Sequence, residues 1–260
     1  IGQEDTPEQF IDNLVSVFRS VRDVLTDDGT LWVNIGDSYY NYRPGKGQAL
    51  VKQSVSKTKQ DLPDTCARRG NKLEGLKEKD LIGIPWMLAF ALRADGWYLR
   101  QDIIWHKPNP MPESVRDRCT KSHEYLFLLS KNKKYYYDNE AIKEPVKQDW
   151  GTRNRDAGKY HNPGTGLQPH SGLTKSYERK NKRDVWTITN KPYKGAHFAV
   201  FPPDLIEPCI LAGSERGDII LDPFMGSGTT GMVAKKHGRN YIGCELHEDY
   251  ASLQTDRIDS

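Results

Sequence analysis

No stretch of the 260 residues approaches the roughly 18–20 consecutive apolar residues that a membrane-spanning helix needs, which excludes a helical integral membrane protein. Residues 1–10 carry Glu4, Asp5 and Glu8 and no apolar run, so they do not read as a secretory signal. Cysteine is scarce: Cys66, Cys119, Cys209 and Cys244 stand far apart with no CxxC pair, which fits free thiols in a reducing compartment and excludes a disulfide framework. The seven histidines show no metal-ligand spacing, and no metal is expected.

What is present is a chain able to bury a core. Its 6 Trp, 13 Tyr and 7 Phe argue against disorder, and its length suits one large domain or two small ones. The net charge of +3 conceals a segregation. Residues 41–80 hold ten Lys/Arg against five Asp/Glu, residues 131–195 hold fifteen against seven, and the remainder is acidic by ten charges. Clustered cations on an acidic scaffold suit a polyanion such as nucleic acid better than two merely soluble loops do.

Periodicity predicts a helix over 6–25, with Thr6 as N-cap, Pro7 at its first position and Gln9 completing a capping box. Strands are predicted over 30–36, 98–107, 123–131, 217–222 and 241–245. Further helices are predicted over 80–94 (capped by Asp80), from Pro203, over 229–237 with Gly238 as its C′ residue, and over 250–258. Strands alternating with helices imply an α/β fold with a mostly parallel sheet.

The most informative stretch is Asp222-Pro223-Phe224-Met225-Gly226-Ser227-Gly228-Thr229-Thr230. A strand ends in an acid, turns on glycines and enters a helix, so backbone N–H groups face a ligand that can approach closely. A nucleotide P-loop would need a lysine here, and there is none. Asp222 would repel a pyrophosphate and favour a cation. Glu245, twenty-three residues later at the next strand end, suits the two hydroxyls of a ribose. An adenosine ligand bearing positive charge describes S-adenosylmethionine.

That stretch resembles the S-adenosylmethionine motif of DNA amino-methyltransferases, which modify adenine N6 or cytosine N4. Residues 197–205 (His197 to Leu205), 102–109 (Asp102 to Asn109) and 123–131 (His123 to Lys131) resemble three more motifs of the permuted beta group, in that group's order. The resemblance implies a Rossmann-like class I methyltransferase sheet of seven strands, five of them identifiable here, with two basic insertions. It implies S-adenosylmethionine as cofactor, held by Phe201, Asp222, Pro223, Phe224, Gly226, Ser227, Gly228, Thr229, Thr230 and Glu245. Double-stranded DNA is the implied partner, with the target base flipped out of the helix. The division expected is a catalytic core over 1–40 and 81–137, a basic insertion over 41–80, a target-recognition region over 138–195 and a cofactor-binding part over 196–260. The family setting also points to a prokaryotic or phage gene and a cytoplasmic enzyme without membrane contact, and it leaves room for a homodimer and a cognate restriction enzyme.

One motif of the group is missing. Its Asp/Asn/Ser-Pro-Pro-aromatic tetrapeptide holds the exocyclic amine and stacks on the flipped base. The sole Pro-Pro here, Pro202-Pro203, lies between Phe201 and Asp204, and Asn190-Lys191-Pro192-Tyr193 has a lysine where the first proline belongs. The chain opens on Ile1, and the tetrapeptide is expected before it, with two further strands on roughly 35–45 residues.

Asp37, Lys107 and Asn109, at or just after the ends of predicted strands, are expected near the target base. His106 and Trp105 read as lining or structural residues. Arg153, Arg155, Lys159, Arg179, Lys180, Lys182 and Arg183 are the candidate contacts to the DNA backbone. Pro208-Cys209 is similar to the nucleophile of cytosine-C5 methyltransferases, yet Cys209 falls in an apolar helix and reads as a core thiol. The alternatives to a DNA enzyme are a methyltransferase acting on RNA or a small molecule, and a non-catalytic nucleic-acid binder.

Overall fold

The computed structural model describes residues 1–40, 73, 75–146, 178–190 and 201–258. Most of the first basic insertion, residues 147–177 with Arg153, Arg155 and Lys159, and the motif residues 197–200 lie outside the described residues. Among the described residues no helix is long and apolar enough to cross a membrane.

Helix α1 (Pro7–Val24) starts where its capping chemistry dictates: the Thr6 side chain accepts the Gln9 N–H at 3.2 Å. Its apolar stripe buries Ile11, Leu14, Val15, Phe18 and Val21. These pack with Leu88, Ala89 and Leu92 of α2 (Ile84–Ala94) on one face of the main sheet. Each such side chain contributes about 1.5–3 kcal/mol of burial.

That sheet has four strands: β1 (Thr30–Ile35), β2 (Tyr98–His106), β3 (His123–Ser130) and β6 (Val185–Thr187), in the order β1-β3-β2-β6. It corrects the expectation of a mostly parallel arrangement. β3 lies between β1 and β2 and is antiparallel to both, and only β6 runs parallel to its neighbour. The reason is the connection. Residues 107–122 join β2 to β3 without a helix, and a parallel crossover needs one. β6 is a short addition: its Trp186 pairs with Trp105 and is buried, although it lies within the span expected to be a separate recognition region.

The remaining elements form smaller units. β4 (Glu144–Pro145) and β5 (Arg179–Lys180) make an antiparallel pair. α3 (Pro203–Gly213) lays Leu205 and Cys209 on a cluster with Ile103, Trp105, Leu126 and Trp186. Among the described residues β7 (Ile219–Asp222) pairs only with β8 (Asn240–Gly243), in parallel, and α4 (Thr229–Lys236) connects them. α5 (Glu248–Ile258) follows. The burial of β7 and β8 is partial: Ile219 is 63% exposed, and Ile242 on β8 is 54% exposed. Among the described residues, β1 and β7 each keep one edge without a strand partner.

α2 also starts differently from expectation. Asp80 does not cap it, because its carboxylate accepts the Lys77 N–H at 2.8 Å. Gly83 occupies the N-cap with φ 85°, and the cap oxygen comes from Asp37.

Candidate active site

The Gly-rich turn connects the carboxyl end of β7 to α4. Asp222 closes it on itself: one carboxylate oxygen accepts the Phe224 N–H at 2.9 Å and the other accepts the Thr230 hydroxyl. Gly228 is the N-cap of α4 with φ 85°, a left-handed conformation that a side chain would disfavour. The first turn of α4 has no side-chain cap, so its N–H groups and the positive end of its dipole face the turn. Thr229 and Thr230 are buried, as are Ser227 and Met225.

The neighbouring strand end completes the turn. Cys244 donates its N–H to Asp222 O, and Met225 donates to Cys244 O, both at 2.9 Å. A Cβ at Gly243 would lie 2.6 Å from Met225 Cγ, so a glycine there lets the turn settle against β8. Glu245 then reaches across: one oxygen accepts the Gly226 N–H at 2.8 Å, and the other accepts those of Leu246 and His247 at 3.0 and 2.9 Å. Both acids therefore converge on one turn. Among the described residues neither has a cationic partner, and two negative charges that accept only neutral hydrogen bonds suit a ligand that is itself cationic.

α5 contributes two residues that the motif does not contain. Gln254 donates its amide to Gly226 O at 2.7 Å, and Arg257 donates to the Ser227 hydroxyl. Their three-residue spacing places both on one helix face. That spacing is the one signal in the sequence that points to them. Pro223 is half-buried, and Phe224 is 47% exposed with its ring edge-to-face on Phe18, centroids 6.3 Å apart. Phe201 packs on the cluster of Trp105, Trp186 and Cys209.

Asp37, Lys107 and Asn109 come to one edge of the four-stranded sheet. β1 and β2 both run antiparallel to β3, so their carboxyl ends share that edge. Each of the three is already engaged. Asp37 Oδ1 accepts the N–H groups of Gly83 and Ile84 at 3.0 and 3.1 Å, and its carbonyl accepts Lys121 Nζ at 2.7 Å. Lys107 pairs with Glu124 and sits 4.2 Å from the Trp105 ring centroid. Asn109 exchanges two hydrogen bonds of 3.2 Å with the backbone of Asn190. His106 Nδ1 meets the Thr187 hydroxyl at 3.2 Å, and Trp105 donates to Ile188 O at 2.9 Å, so both hold β6 in place. Cys209 is a core thiol as read: it is buried, bonded to Leu205 O, and burial pushes its pKa far up.

Four of the candidate DNA contacts lie within the described residues. Partial burial opposes ionisation of Glu144, but hydrogen bonds from Arg183 and Lys180 hold its carboxyl below the ordinary value. Arg179 donates to Lys143 O at 2.7 Å, and Lys182 lies 4.8 Å from the Trp186 ring centroid.

A parallel β7–α4–β8 unit with a glycine turn, set beside a mixed sheet, is the architecture of DNA methyltransferases. PvuII DNA methyltransferase (cytosine-N4-specific) has this fold, with a TM-score of 0.62 at 17% identity over 97% of this chain and 71% of that one. So does a putative DNA modification methylase of Thermus thermophilus solved with S-adenosyl-L-methionine, with a TM-score of 0.58 at 23% identity over 96% and 77%. The DNA methylase family model matches residues 1–256. Type II methyltransferase M.SmaI of Serratia marcescens is 50% identical over 258 residues, which is 99% of this chain and 77% of that protein. The chain belongs to the DNA methylase family.

Proposed function

We propose that this chain transfers a methyl group from S-adenosylmethionine to the exocyclic amine of adenine (N6) or cytosine (N4) within a specific duplex DNA sequence. The observation that carries this reading is the convergence of Asp222 and Glu245 on the turn after β7. When bound, the cofactor supplies an electrophilic methyl group on a sulfonium. The turn supplies backbone N–H groups, Glu245 accepts from the ribose hydroxyls, and Asp222 offers counter-charge. Phe201, Pro223, Phe224 and residues Gly226 to Thr230 complete that site on this reading.

Asp37, Lys107 and Asn109 lie around the flipped base, and residues 138–195 carry the recognition surface with its arginines and lysines. The amine of a nucleobase has its lone pair delocalised into the ring, so it must be held by acceptors to become nucleophilic. The Pro-Pro-aromatic tetrapeptide of the resemblance would hold it. A homodimer, a cognate restriction endonuclease and a cytoplasmic location belong to the same reading.

The test is methyl transfer from labelled S-adenosylmethionine to plasmid DNA and to total RNA, followed by sequencing of the modified DNA. Label in duplex DNA at one sequence supports the reading. Label in RNA alone overturns it.

A further inference from the structure

We propose that a cleft between Tyr39 and the loop joining β2 to β3 is a second DNA contact, one that holds a backbone phosphate beside the target base. The inference rests on the DNA reading above and places a contact outside residues 138–195. The cleft has a volume of about 640 Å³ and is lined by Tyr39, Tyr40, Lys79, Arg116, Asp117 and Arg118, among others. Tyr39 and Tyr40 follow β1, and residues 114–118 follow β2. The cleft therefore opens at the same carboxyl edge that carries Asp37, Lys107 and Asn109.

Three cations bear on the cleft, against the acids Glu78 and Asp117 that also line it. The guanidinium of Arg118 lies 3.9 Å from the Tyr39 ring centroid and is steadied by Glu113 at 3.2 Å, so a planar fork is held in one orientation. Lys79 takes φ 73°, the sole positive φ outside glycine among the described residues, while its ammonium pairs with Asp117 at 2.8 Å. Glycine or asparagine adopts that backbone more easily, so a lysine is kept there at a conformational cost. Arg116 is exposed and has no ion pair or hydrogen bond among the described residues.

The surroundings favour a polyanion over a small ion. Tyr40 fastens both ends of the segment between residues 40 and 73: its hydroxyl accepts the Leu73 N–H at 3.0 Å, and its backbone exchanges bonds of 2.8 Å with Asp80 and Lys79. In sequence, residues 41–80, between and beside these anchors, hold ten Lys/Arg. An arginine held on the Tyr39 ring and an unpaired arginine beside it suit a backbone phosphate.

The experiment is duplex binding by fluorescence anisotropy at several salt concentrations for the wild type, Arg116→Ala and Arg116→Glu. One duplex carries the methylated sequence and the other a scrambled one. Removing one phosphate contact is expected to raise Kd about 3–10-fold on both duplexes and to lower the salt slope by about one, with the larger effect in the glutamate variant. Cofactor affinity and Tm are expected to stay at wild-type values. Unchanged Kd and slope beside a wild type that binds duplex overturn the cleft alone, as does a loss confined to the methylated sequence. A wild type that binds cofactor but no duplex overturns the DNA reading and the cleft with it.

Discussion

The carboxylate of Glu245 accepts the amide proton of Gly226 at 2.8 Å, so the acid that ends one strand unit is tied to the turn that begins the other. Replacing Glu245 with alanine removes that tie together with the acceptor proposed for the ribose hydroxyls. Two charge-assisted hydrogen bonds lost correspond to an affinity for S-adenosylmethionine weaker by about 10–100-fold. Isothermal titration calorimetry measures it, and an affinity within twofold of wild type would remove Glu245 from the site.

Asp222 is tested by charge rather than by shape. Asp222→Asn keeps an acceptor for the Phe224 N–H, and its NH2 can donate to the Thr230 oxygen in place of accepting from it, while the negative charge is removed. The expected outcome is cofactor affinity lower by about tenfold or more, because a cationic ligand loses its counter-charge. Asp222→Ala is expected to lower Tm as well, since the turn loses both internal bonds. Equal affinity in wild type and Asp222→Asn would show that charge plays no part.

Asp37 caps α2 from another part of the chain. Asp37→Ala should destabilise the fold by about 1 kcal/mol, the usual loss when a helix N-cap acceptor is removed. Thermal unfolding without cofactor or DNA reads this directly. An unchanged Tm with a fall in kcat alone would move Asp37 from cap to chemistry.

Glu207 links α3 to α4 through Lys236 at 2.8 Å and His237 at 2.6 Å. The hydrogen bond from Lys236, against partial burial, holds its carboxyl below the ordinary value. A depressed acid contributes stability above its unfolded pKa and loses it as pH falls through the folded one. Glu207→Gln should therefore lower Tm by roughly 2–4 °C near neutrality, with the gap closing below about pH 4.5. A gap that stays constant down to pH 3 would contradict the ion pair.

Local chemistry was legible in the residues. Thr6, Pro7 and Gln9 start α1 where the capping pattern places it, and Gly238 with φ 71° ends α4 as a C′ glycine should. The Gly-rich turn and the placing of Asp222 and Glu245 about it follow from strand–turn–helix order. What escaped the sequence is what depends on distance along the chain. Asp37 lies 46 residues from the amide of Gly83, and no local pattern couples them. Val185 to Thr187 is too short for a periodicity, and its addition to β2 rests on the pairing of Trp186 with Trp105 across the chain. The antiparallel β3 follows from a helix that is lacking between β2 and β3, a feature that strand counting passes over.

The distribution of thiols turns both proposed sites into reporters. Cys209 is sealed in the core, whereas Cys119 and Cys244 are exposed, one beside Arg118 at the cleft and the other beside Glu245 at the turn. A maleimide followed by peptide mass mapping would therefore watch the two places separately in the unaltered protein, with cofactor shielding Cys244 and duplex shielding Cys119.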